Sequence, residues 1–192
     1  DEVKRLVIHR HRHSEEVASY VGSDWAERLP PDNKVIVPSA IEQEIATELD
    51  EVWLGSKNPY SGANSSLFPW TLVKAFLSSP SALLASASKR RKRLGVELSQ
   101  PARAEADALK KLEGLAQRAL EEPTAKYEAL RAHLSEIGVG KGKDVRLVIF
   151  AERVATLHFL RDHLCRDLRF SEDEVEVLHG GLTDVDQQSI VE

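Results

Sequence analysis

After a strand-like start at 3–8 and a short strand over 34–38, apolar residues recur at helical spacing from Ile41 to Ile137, and then the pattern changes. Val145, Leu147, Val148, Ile149 and Phe150 follow one another with Arg146 as the single charge among them. A period of three to four residues builds a helix with one buried stripe. A near-continuous apolar run of this length suits a strand covered on both faces. The expected fold is therefore α/β overall: a mostly helical N-terminal two-thirds followed by a parallel α/β part.

Within the helical part, Ser39 and Glu42 have the spacing of a capping box, and Ile41, Ile45, Leu49, Val52 and Trp53 mark one stripe. Residues 55–66 are rich in Gly, Ser, Asn and Pro and read as a loop. Phe68, Pro69 and Trp70 open a second helix with Leu72, Val73, Phe76 and Leu77 on its apolar side. Ser79 as N-cap and Pro80 at the first position start a third, which ends in Lys89, Arg90, Arg91, Lys92 and Arg93. Residues 101–121 predict a long helix with Ala104, Ala108, Leu112, Leu115 and Ala119 inward. Its neighbour, from about 124 to 137, buries Tyr127, Leu130, Leu134 and Ile137 and ends at Gly138.

After a basic, glycine-rich loop at 138–143, the spacing predicts a strand over 145–150 and a helix over 153–168 with Leu157, Leu160, Leu164 and Leu168 inward. A second strand at 174–178 then leads through His179, Gly180 and Gly181 into a helix capped by Thr183. Strand, helix, strand, helix at this spacing is a parallel α/β unit. Two strands make a poor independent core. The absence of Met and a helical pattern still running at Glu192 add to the expectation of a longer protein.

Composition bounds the partners. With 192 residues and one cysteine, Cys165, the chain can bury a core but cannot close an internal disulfide, so a reducing, cytoplasmic setting is expected. No apolar run approaches the ~20 residues of a membrane span, and no membrane partner is expected. The net charge of −5 gives no general attraction to nucleic acid. Any such site must come from a local patch.

The densest patch is Lys89, Arg90, Arg91, Lys92 and Arg93. Clustered cations gain affinity for phosphate by releasing counterions, although the same residues at a helix C-terminus also suit the helix dipole while staying solvated. Ligands of parallel sheets gather at strand C-termini, which selects Phe150, Glu152 and Arg153 on one strand and His179, Gly180 and Gly181 on the other. The glycine pair would let a phosphate come close to the next helix. His9, His11 and His13 fall on one side of an extended segment, where zinc binding and a solvated basic edge are both open. The loop at 138–143 lacks the spacing of a phosphate-binding loop and precedes its strand, so neither a catalytic residue nor a metal site is assigned.

The helical stretch Lys126, Tyr127, Glu128, Ala129 and Leu130, the run 145–153, and the run 177–183 leading to Gln187, Gln188, Ser189, Ile190 and Val191 resemble the start of the second RecA-like lobe of superfamily 2 helicases. The closest flavour is the bacterial Swi/Snf-related branch of ATP-driven translocases. The resemblance implies that residues 1–38 end the first motor lobe, 39–122 form a helical insertion between lobes, and 123–192 begin the second lobe. Phe150 to Arg153 would then be the fourth helicase motif, with His179, Gly180 and Gly181 following it along the nucleic-acid track, DNA rather than RNA. The family often has arginine where Gln187 stands. ATP and Mg2+ would be bound by the parent protein and none by this chain, because the nucleotide-binding loop, the acidic magnesium motif and the arginine finger would all lie elsewhere. The rival reading is a helical interaction module without catalytic activity, holding a protein partner through Trp53, Phe68 and Trp70.

Overall fold

The computed structural model describes residues 30–55, 67–95 and 99–191, together with Val17 and Ser19. The chain divides between residues 35 and 36, and the helices that build both cores belong to the second unit, Ile36–Glu192. The strand-like start at 3–8 and the histidines at 9, 11 and 13 lie outside the described residues.

Helix α1, Ala40–Glu48, begins where the Ser39 amide donates to Glu42 Oε2 at 2.7 Å. Its continuation, Leu49–Leu54, winds as a π-helix, and the wider turn keeps both Leu49 and Trp53 buried. Gly55 ends it. A Cβ there would sit 2.8 Å from the Glu51 carbonyl oxygen, so any side chain would force the backbone apart. Helix α2, Phe68–Ser78, and helix α3, Pro80–Arg93, meet at Ser79, whose Oγ accepts from the Ala82 amide at 3.1 Å. Pro80 at the first helical position lacks an amide that would have no partner there anyway.

The long helix α4, Gln100–Glu121, supplies Leu109, Leu112, Leu115, Ala116 and Ala119 to a core shared with Ile41, Ile45, Leu49, Trp53, Leu72, Leu83 and Ala87. The predicted stripe is shifted: Leu109 and Ala116 are buried, whereas Ala104 is exposed. Carboxylates fix how α4 lies against α1 and α3. Glu48, itself buried, binds Lys111, and Glu44 meets Arg118 at 3.0 Å.

Helix α5, Ala125–Glu136, ends in a Schellman motif. Gly138 takes φ +82°, its amide donates to the Ser135 carbonyl at 3.2 Å, and the Val139 amide donates to the Leu134 carbonyl at 2.9 Å. Helix α6, Val154–Leu168, crosses α5 to make a second, smaller core of Tyr127, Leu134, Phe159 and Leu164. A short 3-10 turn, Glu172–Glu174, and helix α7, Asp184–Val191, complete the described chain.

The parallel α/β expectation is overturned: among the described residues there is no β-strand and no sheet, so no RecA-like lobe is formed. Residues 144–151 are neither helix nor strand, and their backbone makes no hydrogen bond among the described residues; 175–178 are alike in this. A strand exists only through a ladder to a neighbour, and here neither segment has one. The expected burial on both faces fails with it, since Val148 is 74% and Phe150 92% exposed.

Candidate nucleic-acid interface

The five cations at the end of α3 divide into two classes. Arg90 is half-buried: its Nε lies 2.7 Å from Glu105 Oε1, and its guanidinium stands 5.1 Å from the centre of the Phe68 ring. Arg91 donates from Nε to both carboxylate oxygens of Glu113, at 2.9 and 3.0 Å, and that carboxylate raises its pKa further above the ordinary arginine value. These two hold α3 to α4. Lys89, Lys92 and Arg93 are exposed and, among the described residues, meet no carboxylate.

The other candidates cluster about α6. Arg153 is its N-cap residue, with Glu152 exposed just before it. His179 approaches from the far segment, its ring edge-on to His158 at 6.1 Å. His179 Nδ1 accepts from the Gly181 amide at 3.0 Å. Neither Gly180 nor Gly181 has a left-handed backbone. The close approach at Gly181 is to the His179 ring, 3.1 Å from where a Cβ would stand. The turn thus spends one of its amides on His179 and does not offer it to a phosphate.

Phe150 and Glu152 border a cavity of about 510 Å3 where the α2–α3 corner faces α5 and α6. Among its lining residues three hydroxyls cluster, with Thr156 Oγ1 2.7 Å from both Ser78 Oγ and Ser79 Oγ. Sequence reading passed over this cluster because its members stand 77 and 78 residues apart. Ser79 and Thr156 are buried, and all three hydroxyls satisfy one another. They join the two cores and are not arranged as a nucleophile beside a base.

The structure therefore separates the sequence-selected residues into two groups. Pro80, at the cavity, and Arg93 are the two ends of α3, about 20 Å apart at the ordinary rise of a helix. The cationic tip and the Phe150, Glu152, Arg153 and His179 group do not form one site. Of the three aromatic anchors, Trp53 is buried and meets half-buried Phe68 edge-on at 5.9 Å, leaving only Trp70 substantially exposed. Among the described residues no group of His, Cys, Asp and Glu is placed to hold a metal ion, and no helix is long and apolar enough to cross a membrane.

Comparison of the chain with protein-family models, with curated proteins and with solved structures finds no match.

Proposed function

We propose that this chain is a DNA-facing part of an ATP-dependent translocase of helicase superfamily 2, similar to the bacterial Swi/Snf-related motors. The observation that carries the reading is the set of three cations, Lys89, Lys92 and Arg93, exposed on the last turn and a half of α3 and, among the described residues, without carboxylate partners. Cations already paired within a protein gain little by displacing counterions from a phosphate backbone, whereas free, clustered ones gain fully. Arg90 and Arg91 are consequently removed from the contact set and serve to stiffen the tip.

The likeness of 145–153 and 177–183 to helicase motifs supports the motor class. In that class ATP and Mg2+ belong to the parent protein, where hydrolysis moves the protein along the nucleic acid. This chain contributes the helices between motor elements and a positive tip that rides on the backbone. The tip reads charge and not base sequence, because lysine and arginine bound to phosphate position a protein without specifying bases.

The test is equilibrium binding of the chain to a labelled DNA duplex across a salt series. Replacing Lys89, Lys92 and Arg93 together with Gln is expected to weaken binding and flatten the slope of log K against log salt. The slope falls by up to about 2.7, roughly 0.9 for each phosphate that is no longer neutralised. Replacing Arg90 and Arg91 instead should leave the slope unchanged while lowering thermal stability. Identical slopes for the native chain and the Lys89, Lys92, Arg93 variant would overturn the reading. In the parent protein, DNA-stimulated ATP turnover is expected; its absence with both DNA and RNA would remove the motor class.

A further inference from the structure

The cavity of about 510 Å3 between the α2–α3 corner and helices α5 and α6 falls within the range, roughly 300–1,000 Å3, in which proteins hold small molecules. Its lining is mainly apolar, with Phe76, Leu130, Ile149, Phe159 and Leu160 among the side chains. Tyr127 adds its ring, since its hydroxyl is taken by Asp167 at 2.8 Å. Charge on the lining residues cancels: Glu42 and Glu152 stand against Lys74 and Lys126. Glu42 Oε2 already accepts the Ser39 and Ala125 amides, and Lys126 Nζ already donates to the Leu77 carbonyl. An ionised ligand would leave water for an apolar cavity with no surplus countercharge to meet it, whereas an uncharged one loses nothing by that balance.

The hydroxyl cluster supplies the polar part. Each of its three oxygens meets another, but Ser78, Ser79 and Thr156 bring three protons to two contacts. Among the described residues their one further hydrogen bond is the one that Ser79 Oγ accepts from the Ala82 amide, so one proton is left without an acceptor there. A leftover donor is costly where it is buried, and Ser79 and Thr156 are both buried. The arrangement that avoids this has Ser79 donating to Thr156 and Thr156 donating to Ser78. The spare proton then falls to half-buried Ser78, at the cavity. We propose that this cavity binds an uncharged small molecule with an apolar body and a single carbonyl or ether oxygen, which accepts from the Ser78 hydroxyl. The inference does not rest on the DNA reading, since the cationic tip lies at the other end of α3.

The probe is acetonaphthone, an uncharged aromatic ketone, titrated with the full 192-residue chain and followed through its own NMR signals. Ethylnaphthalene has nearly the same shape without the oxygen, and naphthoate carries a carboxylate in place of the ketone. The ketone is expected to bind saturably and more tightly than naphthoate. Ser78→Ala should weaken the ketone about threefold to tenfold, the effect of one net hydrogen bond, and leave ethylnaphthalene unchanged. Ala151→Trp adds bulk at a lining residue outside the helices and should abolish binding of both, with a thermal unfolding curve that matches the native chain. The inference is overturned if ketone binding does not saturate, if Ser78→Ala weakens ketone and hydrocarbon alike, or if naphthoate binds as tightly as the ketone. Undiminished binding by Ala151→Trp also overturns it, since the ligand would then sit elsewhere.

Discussion

Asp167 links three side chains beside the smaller core. Its Oδ2 accepts from the Tyr127 hydroxyl at 2.8 Å, its Oδ1 accepts from Arg166 Nε at 2.8 Å, and Arg131 stands 3.7 Å away. The hydrogen bond from Arg166 leads the effects that lower the Asp167 pKa below the ordinary aspartate value, against the opposing cost of its partial burial. Burial, and then the bond to Asp167, pushes the Tyr127 phenol upward. A carboxyl whose pKa is depressed by folding stabilises the fold above its unfolded value, near 3.9, and loses that contribution as pH falls through the folded value. D167N is therefore expected to lower stability at neutral pH and to flatten the acid limb of a denaturation curve below about pH 4. A parallel acid limb for native chain and variant would show that Asp167 contributes no such linkage. Nothing in the sequence marks this cluster, because Tyr127 and Asp167 are 40 residues apart. The same separation hid the pairing of Arg90 with Glu105 and of Arg91 with Glu113, across 15 and 22 residues. A run of five cations reads as one patch until the facing helix is known, and then three are left without a carboxylate partner among the described residues.

Elements were legible where one local rule sufficed. The stripe Ile41, Ile45, Leu49 and Trp53, the Ser79 and Pro80 start of α3, and the glycine ending α5 all sit where spacing and cap chemistry put them. Gly138 illustrates why: at φ +82° an L side chain is strained, and the two Schellman hydrogen bonds depend on that conformation. G138A is expected to cost about 1 kcal/mol in denaturant unfolding, with open space around the added methyl leaving backbone strain as the cause. A neutral result would mean that α5 ends equally well in another geometry. Strands were illegible for the complementary reason. An apolar run states that a segment wants cover, but a strand requires a partner ladder that no short window of sequence contains. Residues 145–150 have the composition of a buried strand and, among the described residues, none of its hydrogen bonds. The candidate residues placed at its end, Phe150, Glu152 and Arg153, consequently lie at the entrance to α6 and not along a sheet edge.

Two cores of unequal size meet along a narrow seam, and this governs how the molecule should open. Four helical segments enclose Trp53, Leu72, Leu83, Leu109 and Leu112 in the larger core, whereas the smaller rests on Tyr127, Leu134, Phe159 and Leu164. Apolar burial is the main favourable term in folding, so the larger core should hold the higher opening free energy. Among the described residues, three polar links cross between them. Glu42 Oε2, already taken by the Ser39 amide, also accepts from the Ala125 amide at 3.1 Å; Lys126 Nζ donates to the Leu77 carbonyl at 2.6 Å; and Thr156 meets Ser78 and Ser79. Only the hydroxyl cluster is buried at its centre, with Thr156 and Ser79 each 5% exposed. T156V keeps the side-chain shape, removes the shared hydroxyl, and leaves the buried Ser79 oxygen with its cap bond alone. Losing one partner of a buried hydrogen bond costs about 1–3 kcal/mol. That loss should fall on the joint and not on either core. Native-state hydrogen exchange of T156V is expected to show faster opening of α5 and α6, with α1 and α4 keeping their protection. Equal acceleration throughout would mean that the two cores unfold as one cooperative unit and that the joint is as strong as the cores it connects.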